Sequence, residues 1–284
     1  MALLWLPMMV DLARTPVSPA EAAESAITAA RADIDAIDQK VLALLADRVQ
    51  ANEVIAAAKI AAGVTMPLRP AREVTMLRKL IAEAPPGVDP DLIFDVWRAM
   101  IAANVRRQKA VEVVVPEVGD IVRLFDTARR HFSGAARINR LSETRDVLNH
   151  IAENASVVAV MPWPAPSGPG AWWAMLTERR YSKLSIIAGL PMRGTGEPEA
   201  ALVAPGAVLE EAGGDRTFGL AFDPHHRSIR AMNEAGFKAH ETFRVRETVM
   251  LEIEGFVAAG DPRVAVAIRH GLEGFRVVGA YARI

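Results

Sequence analysis

The chain has 284 residues, 51% hydrophobic and 24% charged, with a formal net charge of −1. That describes a globular protein of one large domain or two to three small ones, and it gives no case for nucleic acid or an anionic membrane as a bulk partner. Cysteine is absent, which excludes disulfides, thiolate metal sites and a cysteine nucleophile and fits a reducing, cytoplasmic setting.

Residues 1–22 open with MALLWLPMMV, which lacks a basic flank and a small-residue cleavage site and is too short to span a bilayer. They read as a disordered leader, with Met8 or Met9 as alternative starts. From Ala23 to Ala61 there is no proline or glycine, and Ile34, Ile37, Val41, Leu44 and Ile55 recur at a helical period. Arg48 and Lys59 lie about three turns apart on the stripe that holds Ile37 and Val41. Burying a cation is costly unless an anion meets it, so this inner face predicts an anionic partner. At about 1.5 Å per residue the helix exceeds roughly 50 Å, so it either bends or packs against a second chain. Arg31 sits about 100° around the helix from Arg48, facing a different pocket such as that of a partner chain.

The helix stops before Gly63. Pro70 opens a second helix, to about Ala84, whose first turn carries Arg72-Glu73. Asp89-Pro90 starts a third, with an apolar stripe of Ile93, Trp97, Met100 and Ile101 that turns polar at Asn104 and Gln108. Residues 23–112 thus form an all-α unit of three helices. Beyond Lys109 strands and helices alternate: strands at 111–115, 138–141, 157–161 and 184–190, helices at 119–132 and from Ser142, and a short helix at 171–176. This α/β segment occupies residues 113–212. Residues 215–284 read strand-helix-strand-strand-helix-strand, the ferredoxin-like order, so the fold class is multidomain.

Arg48, Lys59, Asn104 and Gln108 all point inward, with Arg72-Glu73 near the same level. The set has no nucleophile paired with a base, no histidine and no metal-ligand spacing. It suits binding a compact polyanion and stabilising charge that develops during reaction, by electrostatics and conformational restraint. Singly, each residue has a plainer reading. Arg48 would be a snorkelling surface residue and Lys59 a solvated charge at a helix end. Arg72-Glu73 would be an ordinary first-turn pair, and Gln108 part of a polar face beside Arg106-Arg107. Their joint order and register favour the site.

In that order, Arg31-x2-Ile34-x2-Ile37-Asp38, Leu44-x3-Arg48, Lys59, Arg72-Glu73 and Gln108 resemble the pattern of the all-helical (type II) chorismate mutases. The resemblance implies a helix-swapped homodimer that rearranges chorismate to prephenate, an intramolecular Claisen shift in aromatic amino acid biosynthesis, without cofactor or metal. It implies that Lys59 and Gln108 are catalytic, hydrogen-bonding the ether oxygen as the C–O bond breaks. Arg48, and Arg31 of the partner subunit, would pair with the two substrate carboxylates. Glu73 would hold the ring hydroxyl, Arg72 would support that edge, and Asn104 would contact a carboxylate where the family often has a small hydroxyl residue. One departure is Arg69, where many members carry Asp.

Residues 113–212 resemble the first lobe of a prephenate dehydratase through Arg129-Arg130-His131-Phe132, the Ser142–His150 helix and the strand ending Met161-Pro162. The Thr-Arg-Phe signature is missing, since Asp146 follows Thr144-Arg145. Trp163-Pro164-Ala165 replaces Glu-Asn-Ser, and no room is left for a second lobe, so dehydration is not expected. Residues 215–284 resemble an ACT domain through Glu252-Ile253-Glu254-Gly255 and Val278-Gly279-Ala280-Tyr281. Pro224-His225-His226 stands where the ligand loop would be and the Glu-Ser-Arg-Pro of strand two is absent, which leaves an aromatic amino acid effector and a purely structural role both open. Adjacent histidines face different ways and no third ligand is evident, so no metal is expected there. The alternatives to a mutase alone are a bifunctional mutase and dehydratase, or an amino-acid-sensing protein with a vestigial site.

Overall fold

The computed structural model describes residues 18–63, 66–108 and 111–284. The expected leader thus falls mostly on residues 1–17, outside the described ones. Helix α1 spans Pro19–Ala61, beginning four residues ahead of Ala23 because Pro19 and the Ala/Glu run after it suit a helical first turn. The chain divides inside this helix, into one unit ending at Ile55 and another from Ala56.

The first unit is the helical stretch to Ile55. Its apolar stripe has the expected period but not the expected burial: Ile37 is 54% and Leu44 67% exposed, and no residue of α1 is buried. The half-buried positions are instead Arg48, Val49, Asn52, Ala56 and Lys59, which recur every three or four residues on one face. Arg48 and Lys59 do share a stripe, but Ile37 and Val41 are left open.

The second unit combines helices with one mixed sheet. Helices α2 (Pro70–Ala82) and α3 (Pro90–Gln108) precede β1 (Glu112–Pro116), α4 (Ile121–Phe132), β2 (Ile138–Leu141), α5 (Thr144–Glu153) and β3 (Val157–Pro162). A 3-10 segment, Gly168–Thr177, leads to β4 (Leu184–Leu190) and β5 (Ala200–Pro205). Then come β6 (Arg216–Phe222), α6 (Ser228–Glu234), β7 (Ala239–Val245), β8 (Thr248–Glu254), α7 (Pro262–Arg269) and β9 (Glu273–Tyr281). The nine strands lie in the order β2-β1-β3-β5-β4-β9-β6-β8-β7. Strand β5, unforeseen in the sequence, pairs antiparallel with both β3 and β4.

The sequence places a boundary near residues 213–214, yet the sheet runs through it: β9 lies parallel to β4, with Ile186 opposite Gly279. Only glycine fits that seam, because a Cβ on Gly279 would stand 2.5 Å from Cβ of Ile186. The sequence places another boundary after residue 112, but α2 and α3 share a core with the sheet. Val74, Ile101 and Val105 cluster with Val113, Val115, Val158, Val160 and Leu202. The alternate strand positions Val114, Ala159 and Val203 face the opposite layer, with Trp172, Trp173 and Tyr181. A strand buried on both faces reads as an unbroken apolar run, as these do. A third cluster packs α6 and α7 against β6 and β8 through Met232, Ala267, Val249 and Leu251.

Candidate functional site

Proline at the first position of α2 pre-sets a helical φ, and the Glu73 N–H donates to the Arg69 carbonyl at 3.1 Å, so Arg72 and Glu73 occupy a fixed first turn. Arg72 is exposed and Glu73 is buried. The Glu73 carboxylate closely accepts from Nη1 of Arg98 on α3, itself buried, and Arg98 Nη2 donates to the His131 carbonyl on α4 at 2.8 Å. One guanidinium thus ties three helices together and fixes the carboxylate in a single orientation. Burial, and then the charge of Arg98, push the His131 imidazole well below its ordinary pKa, so the ring stays neutral at pH 7.

Lys59, near the end of α1, is half-buried and its Nζ donates to the Pro67 carbonyl at 3.3 Å. Burial lowers its pKa most. The charges of Arg69 and Arg72 lower it further, while Glu73 and Glu210 work in the opposite direction. Lys59, Arg72 and Glu73, all site residues expected from the sequence, therefore share one electrostatic neighbourhood. Arg69 is in it too, but its guanidinium is taken by Glu210: Nε donates to Oε2 at 2.9 Å and Nη2 makes a close second bond to Oε1. Parallel bonds of this kind hold a guanidinium firmly.

Asn104 lies buried on α3. Gln108 is the last residue of that helix, and its side chain lies outside what is described. Arg31 and Arg48 belong to the first unit. Arg31 is exposed; Arg48 is half-buried, its pKa lowered by that burial, and its carbonyl accepts from Asn52 Nδ2 at 2.8 Å.

Sequence reasoning missed Arg98 and Glu210. Arg98 had a readable signal, since it stands three residues before Ile101 and seven before Val105, in phase with buried positions. A cation on an apolar stripe is the same sign that singled out Arg48. Glu210 had no such signal, because its role depends on a contact 141 residues away in the chain.

A concavity of about 730 Å³ opens beside α3 and α4 and is lined by Arg98, Arg123, Asp126, His131, Met192 and Glu199. Its rim charges are paired, Arg123 with Glu199 and Arg130 with Asp126. Just after β3, Trp163 packs edge-on against Tyr281 at 5.1 Å and tilted against Phe218 at 5.7 Å.

Residues 30–109 match the family model of chorismate mutase type II. A search of the curated proteins returns no match. Among solved structures, the prephenate dehydratase of Streptococcus mutans is 12% identical, with a TM-score of 0.42 over 61% of this chain and 100% of that one. The prephenate dehydratase of Arthrobacter aurescens in complex with L-Phe is 15% identical, with a TM-score of 0.42 over 61% and 90%. GqqA, described as a novel type of quorum quenching acylase, is 12% identical, with a TM-score of 0.42 over 62% and 97%.

Proposed function

We propose that the chain is a chorismate mutase, an isomerase of aromatic amino acid biosynthesis that converts chorismate to prephenate without a cofactor. The observation that carries this reading is the shared neighbourhood of Lys59, Arg72 and Glu73 within residues that match the mutase family. Chorismate is a dicarboxylate whose ether oxygen gains negative charge as its C–O bond breaks. Lys59, half-buried and cationic, and Gln108 stabilise that charge more strongly in the transition state than in the ground state. Arg48 and Arg31 of the partner subunit pair with the carboxylates, Asn104 contacts one of them, and Arg72 supports the ring edge. Glu73 accepts from the ring hydroxyl. Its bond to Arg98 leaves lone pairs for that contact, since an ionised carboxylate offers about four acceptor positions.

The active form is a homodimer made by exchange of α1, which covers the apolar stripe of Ile34, Ile37, Val41 and Leu44 left open in the single chain. Residues 215–284, with strands ordered β9-β6-β8-β7, form a ferredoxin-like, ACT-type module, which either takes an aromatic amino acid as effector or serves a purely structural role. The bifunctional reading is disfavoured by Trp163, whose aromatic contacts fill the place of a polar catalytic group.

The test is to incubate the purified chain with chorismate and identify the product. Prephenate should accumulate, whereas phenylpyruvate without added acid would favour the bifunctional enzyme. Lys59→Ala and Gln108→Ala should each lower kcat by about 10²–10³, the loss typical of one transition-state donor. Full turnover in either variant would sink the site assignment.

A further inference from the structure

The irregular strap between β5 and β6 is pinned to α2 in two places. Arg78 Nη1 donates to the carbonyls of Ala212 at 3.0 Å and Gly213 at 2.6 Å, and the buried Asp215 carboxylate accepts from the Ala212 N–H at 3.0 Å. Ala207, Leu209 and Ala212 pack on the core that holds Val74 of α2. Glu210 is therefore presented from a fixed backbone, and its carboxylate receives Arg69 through two parallel bonds. Without that carboxylate, Arg69 would lose the anion that receives it and stand as a bare cation in the neighbourhood of Lys59.

We propose that Glu210 is a positioning residue of the helical site: it holds the Arg69 guanidinium away from the substrate's carboxylates and preserves the charge of Lys59, so that the strap of the sheet region completes the site. This rests on the mutase reading above. Among the described residues, the charged groups that act on Lys59 include Arg69, Arg72, Glu73 and Glu210. Lys59 serves as a donor only while protonated; burial lowers its pKa most, and these charges shift further the pH at which donation fails. Removing Glu210 takes away an anion and frees the Arg69 guanidinium, and both changes weaken the hold on the Lys59 proton.

The test uses the full chain with Glu210→Gln, Arg69→Gln and the double variant. Two readouts are taken: the pH profile of kcat/KM for chorismate, and titration of the Lys59 ammonium by NMR on labelled lysine. Glu210→Gln should move the alkaline limb and the Lys59 titration down together by about 0.5–1 pH unit. Arg69→Gln should move both upward, and the double variant should return near wild type, as coupled neighbours do. The pair is part-exposed, so circular dichroism and thermal midpoint should barely change. If Glu210→Gln leaves the limb and the titration in place, or lowers kcat equally at every pH, the proposal is overturned. Absence of chorismate turnover in the wild type would defeat the mutase reading instead, and the Lys59 titration would then decide the coupling alone.

Discussion

Helix α1 and the nine-stranded sheet differ in what a single chain can bury. The inner strands β1, β3 and β5 are dry on both faces: Val114, Val158, Ala201 and Leu202 are all at 0% exposure, and Trp172 and Trp173 close one layer. Helix α1 has an apolar stripe just as regular, yet Ile37, Val41 and Leu44 stand open. Apolar residues thus meet two outcomes: in the inner strands they are covered on both faces, and on α1 they are exposed. A closed core makes a region stable by itself, whereas in the homodimer proposed above the open stripe would draw its cover from a second chain.

Four measurements would break or sharpen that contrast. The largest effect is expected at the junction of α2, α3 and α4: Arg98→Leu leaves the Glu73 carboxylate buried without its cation and should cost about 3–5 kcal/mol in urea unfolding. In the sheet region, Trp173→Ala opens a cavity and strands the Ala165 carbonyl, to which the indole donates at 2.9 Å. A loss of about 3–5 kcal/mol, the same at every protein concentration, is expected. On α1, Leu44→Ala should cost about 2 kcal/mol and lower the thermal midpoint most at low protein concentration, as for a residue buried between chains. No change at any concentration would mean that the stripe stays wet.

The smallest effect is a pH dependence. The His131 ring is neutral in the folded chain, while in the unfolded chain it takes a proton below about pH 6.5. The unfolded state then binds more protons, so stability falls as pH drops through that value, by up to about 1.4 kcal/mol per pH unit. His131→Gln should remove that part of the slope, seen as urea midpoints at pH 7.5 and 5.5 that lie closer together than in the wild type.

Much of the fold was legible because periodicity is a local property. The strands at β1, β3 and β4 and the helices at α2 and α3 lie within a few residues of their expected places, set by Pro70, Pro90 and runs such as Val113-Val114-Val115. Strand β5 escaped notice because Ala200-Ala201-Leu202-Val203-Ala204 is buried on both faces, shows no alternation and is poor in β-branched residues. The order of strands was not legible either, since the seam of β4 with β9 joins residues far apart in the chain. Lys59, Arg72 and Glu73 were singled out through their spacing on helices, and in the structure they act on one another electrostatically. Arg98 and Glu210 were missed because each acts through a distant contact rather than through a pattern of its own.

The seam has a consequence for how the chain reaches its native state. Strand β9 follows all its neighbours in sequence yet sits inside the sheet, between β4 and β6. Until residues 273–281 have left the ribosome, β4 and β6 each present an unpaired edge, the kind of edge that invites other strands to add to it. The sheet closes only when this late strand is inserted, a pairing between distant parts of the chain of the kind that slows folding. Protection of the β4 amides in pulse-labelled hydrogen exchange should therefore appear together with that of β6 and β9, and later than that of β1 and β3.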